Sequence, residues 1–219
     1  MAFFTLDGPR IDPASGKAAR QLVILLHGLG ADGNDLIGLA PHWAEFLPDA
    51  AFASPTAPFP CDMSPMGYQW FSVQDRSSSA MLAGVRAAAP VLDAFIDQEL
   101  ERVGLRPDKL AIVGFSQGTM MSLYVIPRRD EAVAGVVGYS GRLVGPEQLE
   151  SETVSRPPFL LIHGEADELV AFDSMALAEQ GLEAAGIPVN TVARPGLGHG
   201  IDHEGLTHGG AFLKAAFAV

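Results

Sequence analysis

The chain has 219 residues, 48% of them apolar, with 26 acidic against 14 basic side chains and a formal charge of −12. That length and apolar content support a sizeable core. The charge, with no local Lys/Arg cluster, argues against nucleic acid or an anionic membrane as partner and favours neutral or apolar substrates over polyanions. The single cysteine, Cys61, excludes an intramolecular disulfide, in keeping with a reducing, cytoplasmic setting. Apolar runs are broken by charge or glycine before the roughly 20 residues that a bilayer span needs. The opening "MAFFTLDGPR" has neither the basic start nor the long apolar middle of a secretory signal.

In chain order, "FFTLDGPRIDPAS" predicts a short antiparallel hairpin at a sheet edge. "RQLVILLHG" is then the first of six apolar, β-branched runs bounded by turn residues. "NDLIGLAPHWAEFL" has a helical pattern that Pro41 should kink or divide, and "AAFASPTAP" is the second run. From Ser78 to Val103, apolar residues including Met81, Val85, Ala88, Leu92 and Ile96 recur at steps of three and four. One stripe of a long helix can therefore face a sheet, with a bend expected at Pro90.

The third run, "DKLAIVGFS", leads directly into a helix over "SQGTMMSLYVI". "AVAGVVGYSG" and "PFLLIHGEAD" are the fourth and fifth runs. "FDSMALAEQGLEAAG" is helical and stopped by Gly186 and Pro188. "IPVNTVARPG" is the last run, and "GGAFLKAAFAV" the last helix. Near-continuous apolar strands alternating with helices imply a mostly parallel sheet covered on both faces. With no repeat, low-complexity tract or linker, residues 1–219 read as one domain.

"LAIVGFSQGTMM" carries the chemistry. A strand ending at Gly114, a helix beginning after Ser116 and a glycine at 118 fit the Gly-x-Ser-x-Gly nucleophile elbow, in which a strained turn lifts the serine hydroxyl above the sheet. A bare five-residue pattern also occurs by chance, as a serine capping a helix; the flanking strand and helix are what favour the catalytic reading. Serine needs a base and an orienting acid, expected in the order Ser, acid, His. "HGEADELV" offers Glu165, Asp167 and Glu168, of which Asp167 lies best to face the strand ends after the His-Gly turn. "GLGHGIDHEGLTH" offers His199, His203 and His208, and His199, between two glycines, is best able to reach Ser116.

The bland alternatives are solvated loop carboxylates, an Asp167 that only caps a helix, and idle surface histidines. A sharper competitor is a metal held by His199, Asp202 and His203, but three glycines argue against a helix there and no further ligand has characteristic spacing. The expectation is therefore no metal. "LLHGLGADGNDL" lacks the phosphate-loop frames. It suits a different need, an amide donor for the oxyanion of an acyl-transfer intermediate, with Leu29 and Gln117 as the two donors. On this reading His27 and His163 end strands and bond loop backbone without titrating in the reaction.

With "HGLGADGNDL", "SPTAP", "GYQWF", "GFSQG", "HGEADELV" and "GLGHGID" present in that order, the sequence resembles the phospholipase/carboxylesterase family of α/β-hydrolases, relatives of acyl-protein thioesterases. The resemblance runs from about Gln21 to the C-terminus. It implies an α/β-hydrolase fold without a large lid domain, and a serine esterase acting on carboxylic esters, thioesters or lysophospholipids, acylated proteins among them. It also implies a Ser116, Asp167 and His199 triad with Leu29 and Gln117 as oxyanion donors, and no cofactor. The loop "TAPFPCDMSPMGYQWFSVQDRSSS" would border the acyl groove, making Trp70, Phe71 and Met66 candidate substrate contacts. A groove rimmed by apolar side chains suits a homodimer contact. The competing class is a non-catalytic protein of the same fold that binds an apolar ligand.

Overall fold

The computed structural model describes residues 5–219. In chain order, Arg10–Ile11 (β1) and Gln21–Leu26 (β2) precede two short helices, Gly33–Ile37 (α1) and Ala40–Ala44 (α2). Ala50–Ala53 (β3) follows, then a small hairpin of Phe59–Pro60 (β4) and Tyr68–Gln69 (β5), and the long helix Ser78–Val103 (α3). Leu110–Phe115 (β6), Gln117–Val125 (α4), Gly135–Tyr139 (β7) and Pro146–Glu152 (α5) come next. Phe159–Gly164 (β8), Asp173–Ala184 (α6), Val189–Arg194 (β9) and His203–Ala216 (α7) complete the chain.

One seven-stranded sheet has the order β1-β3-β2-β6-β7-β8-β9. Every pairing is parallel except β1 with β3. The six strands expected from apolar runs are all present; the central ones read as continuous apolar segments because both faces are covered, whereas the edge strand β9, VNTVAR, is only partly buried. Side chains alternate between faces. Leu22, Ile24 and Leu26 of β2 join one core with the stripes of α3, α4 and α6, and Val23 and Leu25 join a second core with Leu36, Trp43 and Leu213 from α1, α2 and α7. The helix α3 is long and apolar enough to span a membrane by length and composition, yet Met81, Val85, Ala88, Leu92 and Ile96 pack into the first core.

Two expectations need correction. The N-terminal hairpin does not form among the described residues: β1 pairs antiparallel with β3 instead, and Phe3 and Phe4 lie outside the described residues. The last helix begins at His203, not at Gly209. Its glycines lower helix propensity but are demanded by packing. A Cβ on Gly209 would lie 2.1 Å from the Tyr139 hydroxyl oxygen, and one on Gly210 would press on Phe46 and Trp43. Asp202 caps this helix, accepting from the Gly205 amide at 2.7 Å. As expected, the segment around Pro41 splits into α1 and α2; at Pro90, where the sequence predicts a bend, α3 continues as one helix from Ser78 to Val103.

The strand order places the site. The chain moves from β2 outward to β3 and then returns to β6 on the other side of β2, and a crevice opens at such a reversal beyond the carboxyl ends of the strands. Leu26 pairs with Gly114 in register, so the loops after β2 and β6 leave the same edge side by side. Farther along that edge Gly164 pairs with Arg194, which brings the loops after β8 and β9 together.

Candidate active site

Ser116, in the turn between β6 and α4, takes up a conformation that L-residues rarely adopt, φ 52° and ψ −112°, at a cost of about 1–3 kcal/mol. The Ser116 amide bonds to Tyr139 O at 2.9 Å and its carbonyl accepts from Met120 N–H at 3.1 Å, so the turn is held from both sides. Gly118 shows why the elbow needs glycine: a Cβ there would sit 1.9 Å from Leu26 O. The helix α4 can approach β2 that closely only without a side chain.

Asp167 and His199 meet across the β8 and β9 loops. His199 Nδ1 lies 2.8 Å from Asp167 Oδ2, while Asp167 Oδ1 accepts from the Leu169 and Val170 amides, both at 2.9 Å. Burial by itself would raise the Asp167 carboxyl, but the Val170 amide, His199 and the Leu169 amide outweigh it and hold the group below the usual aspartate range. Asp167 is therefore an ionised acceptor, so the bridging proton sits on His199 Nδ1. The other ring nitrogen, Nε2, is left unprotonated in the neutral imidazole. The His199 ring rests against Phe115, with centroids 4.9 Å apart. Glu165 and Glu168, the other carboxylates of that loop, form no contact with His199 among the described residues.

Ser116 and His199 line one cavity of about 470 Å³, together with Gly28, Leu29 and Gln117. Among the described residues, the amides of Leu29 and Gln117 donate to no protein acceptor, and both residues line the cavity. The loop bearing Leu29 is pinned. Ala57 N–H donates to His27 Nε2 at 2.9 Å, which leaves Nδ1 as the donor to Gly28 O at 2.7 Å. Because the Gly28 carbonyl and the Leu29 N–H belong to one planar peptide, holding that oxygen also aims that hydrogen. Burial lowers the His27 pKa and keeps the ring neutral for this task. His163 bonds the Val170 carbonyl at 2.9 Å and lies 3.2 Å from Asp167 Oδ2.

The structure does not place the three candidate substrate contacts at this cavity. Trp70 is fully buried, its Nε1 donating to His27 O at 3.0 Å, and Phe71 is buried beside Gly84. Both instead hold Gln117, whose side chain accepts from Trp70 N–H at 2.8 Å and donates to Phe71 O at 2.7 Å. Met66 is 77% exposed on the β4–β5 hairpin. The apolar wall comes from Val73, Met81, Met120, Leu169, Val170 and Ala171. Leu169 and Val170 lie two and three residues after Asp167, and that proximity was the available sequence signal. Arg76 and Arg142 also reach the cavity, and neither belongs to a sequence pattern that foretells it.

The metal alternative has its three groups dispersed. His199 faces Asp167, Asp202 is paired with Arg194, and His203 borders a separate groove beside His42.

A mostly parallel sheet with a crossover reversal, and a strained elbow serine sharing one cavity with a histidine that is bonded to an aspartate, fit the α/β-hydrolase fold. The chain belongs to the phospholipase/carboxylesterase family, whose sequence profile matches residues 8–217, and it is accordingly an enzyme of the hydrolase class. It is 31% identical over 192 residues to the esterase YpfH of Escherichia coli, covering 87% of this chain and 80% of that one. Identity to acyl-protein thioesterase 1 of Aspergillus fumigatus is 29% over 226 residues, with 94% and 91% covered. The crystal structure of esterase PE8 superposes with a TM-score of 0.92 at 42% identity, covering 97% of this chain and 99% of that one.

Proposed function

We propose that this protein, as a single domain, is a serine carboxylesterase that hydrolyses carboxylic esters, and activated thioesters with them, through an acyl-enzyme on Ser116. His199 Nε2 takes the Ser116 proton as the hydroxyl attacks the carbonyl. Asp167 holds the ring through Nδ1 and offsets the imidazolium charge. The amides of Leu29 and Gln117 receive the oxyanion, and their positions are fixed before the reaction. His199 then returns its proton to the departing alcohol or thiol, and water activated by the same nitrogen releases the acyl group. The observation that carries this reading is the convergence of four separate strand ends on one cavity: the two partnerless amides, the elbow hydroxyl, and a histidine whose far nitrogen is committed to Asp167. The esterase and thioesterase names of the relatives point the same way.

Rapid mixing with p-nitrophenyl butyrate tests the covalent route. A burst of nitrophenol approaching one equivalent per chain, followed by a slower steady rate, is expected where deacylation limits; the corresponding butyryl thioester should give the same steady rate, because both pass through one acyl-enzyme. Equal acylated intermediates with unequal steady rates for the two substrates would count against it, as would no turnover of either.

A further inference from the structure

Most arginines of this chain are tied to carboxylates, among them Arg10, Arg86, Arg128, Arg129 and Arg194. Arg76 and Arg142 are not. Among the described residues neither has an ion-pair or hydrogen-bond partner, although the chain carries an excess of acid. Both line the catalytic cavity, and both also line an adjoining cavity of about 440 Å³, so they stand where the two spaces meet. Ser174 and Met81 border both cavities as well.

No Asp or Glu is among the described residues lining the catalytic cavity. The oxygens of Asp167 are occupied behind His199, and the adjoining cavity has one carboxylate, Glu147. The local charge lining the site therefore opposes that of the whole molecule, and the preference for neutral or apolar substrates over polyanions, drawn from net charge, does not extend to a single anionic group there. The backbone leading to Arg142 is fixed by an unusual turn. Ser140, two residues before it at the end of β7, has φ 48°, and its amide is bonded to Ile162 O at 2.9 Å. Next to it, Gly141 lies so close to Thr119 that a Cβ would be 2.4 Å from that side chain. A non-glycine residue keeps such a conformation only where its surroundings enforce it.

We propose that Arg76 and Arg142 form an anion-recognition site on the wall of the catalytic cavity, and that the enzyme acts on esters carrying an oxyanion, a carboxylate or phosphate, beyond an apolar segment. This rests on the esterase reading above. Guanidinium groups match such oxyanions with paired N–H donors. The apolar side chains Met81, Met120, Leu169 and Val170 line the same cavity as Ser116 and the two arginines, which suits a methylene chain joining the carbonyl to the anion.

The test compares matched esters: mono-p-nitrophenyl adipate against p-nitrophenyl hexanoate for an anion on the acyl side, and the butyryl esters of 3-hydroxybenzoate and phenol for an anion on the alcohol side. The readout is the ratio of kcat/KM, anionic over neutral, in the wild type and in Arg76→Ala, Arg142→Ala and the double variant. In at least one arm the ratio should fall about 10- to 100-fold in the double variant. Arg142→Lys should restore part of it, and added salt should lower the wild-type ratio. The arm that responds assigns the side. Ratios unchanged in both arms, or rates that fall equally for anionic and neutral esters, overturn the proposal. If the wild type turned over no ester at all, the esterase reading would fail. Calorimetric binding of monomethyl adipate to Ser116→Ala, with and without the two arginines, would then decide the anion site by itself: arginine-dependent binding supports it and arginine-independent or absent binding overturns it.

Discussion

Ser116→Ala is expected to lower kcat on p-nitrophenyl butyrate about a million-fold while leaving the fold intact. Alanine keeps the Cβ, so the elbow at φ 52° loses only its hydroxyl. The backbone bonds to Tyr139 and Met120 that hold the turn do not involve the side chain. His199→Ala should cost a similar factor, and the double variant should be little worse than either single one, because the nucleophile and its base act as a unit. Steady-state assays with matched thermal unfolding check both points. Losses that multiplied in the double variant would mean that the two groups work independently, against the geometry in which they share one cavity.

The second large effect is expected at Asp167. Asp167→Asn should reduce kcat about ten-thousand-fold at neutral pH, because an amide can present N–H to His199 Nδ1 and favour the tautomer with its proton on Nε2, where the base is needed. The same carboxylate also contributes to stability, with a defined sign. Its pKa in the folded chain lies below the usual aspartate value, so the folded state favours the charged form. That contribution is complete well above about pH 4 and is lost as the pH falls through the lowered folded value. Asp167→Asn should therefore be less stable than the wild type at neutral pH, with the gap closing on strong acidification. Urea unfolding at several pH values measures it. A gap that widened toward acid would contradict the sign.

Much of this architecture is legible in the sequence, for identifiable reasons. The central strands are covered on both faces, so runs such as "LVILL" and "FLLI" are apolar at every position and stand out. The candidate triad is legible because each member sits in a turn of characteristic chemistry at a strand end. The start of α7 is not, since Gly205, Gly209 and Gly210 read locally as loop residues and their cause, contact with Asp202, Tyr139, Phe46 and Trp43, lies far away in the chain or in the cap. The same holds for Trp70 and Phe71. An aromatic pair in a loop looks like a substrate wall, yet here it is buried and braces Gln117. Arg76 and Arg142 are set apart by lining the cavity without a carboxylate partner, and that is a property of the folded chain.

Covalent labelling with a fluorophosphonate, followed by intact mass measurement and peptide mapping, tests the central claim most directly. The account predicts a single adduct per chain, located on Ser116, forming far more slowly in His199→Ala. An adduct on any other residue, or full ester hydrolysis by protein that takes no label, would contradict it.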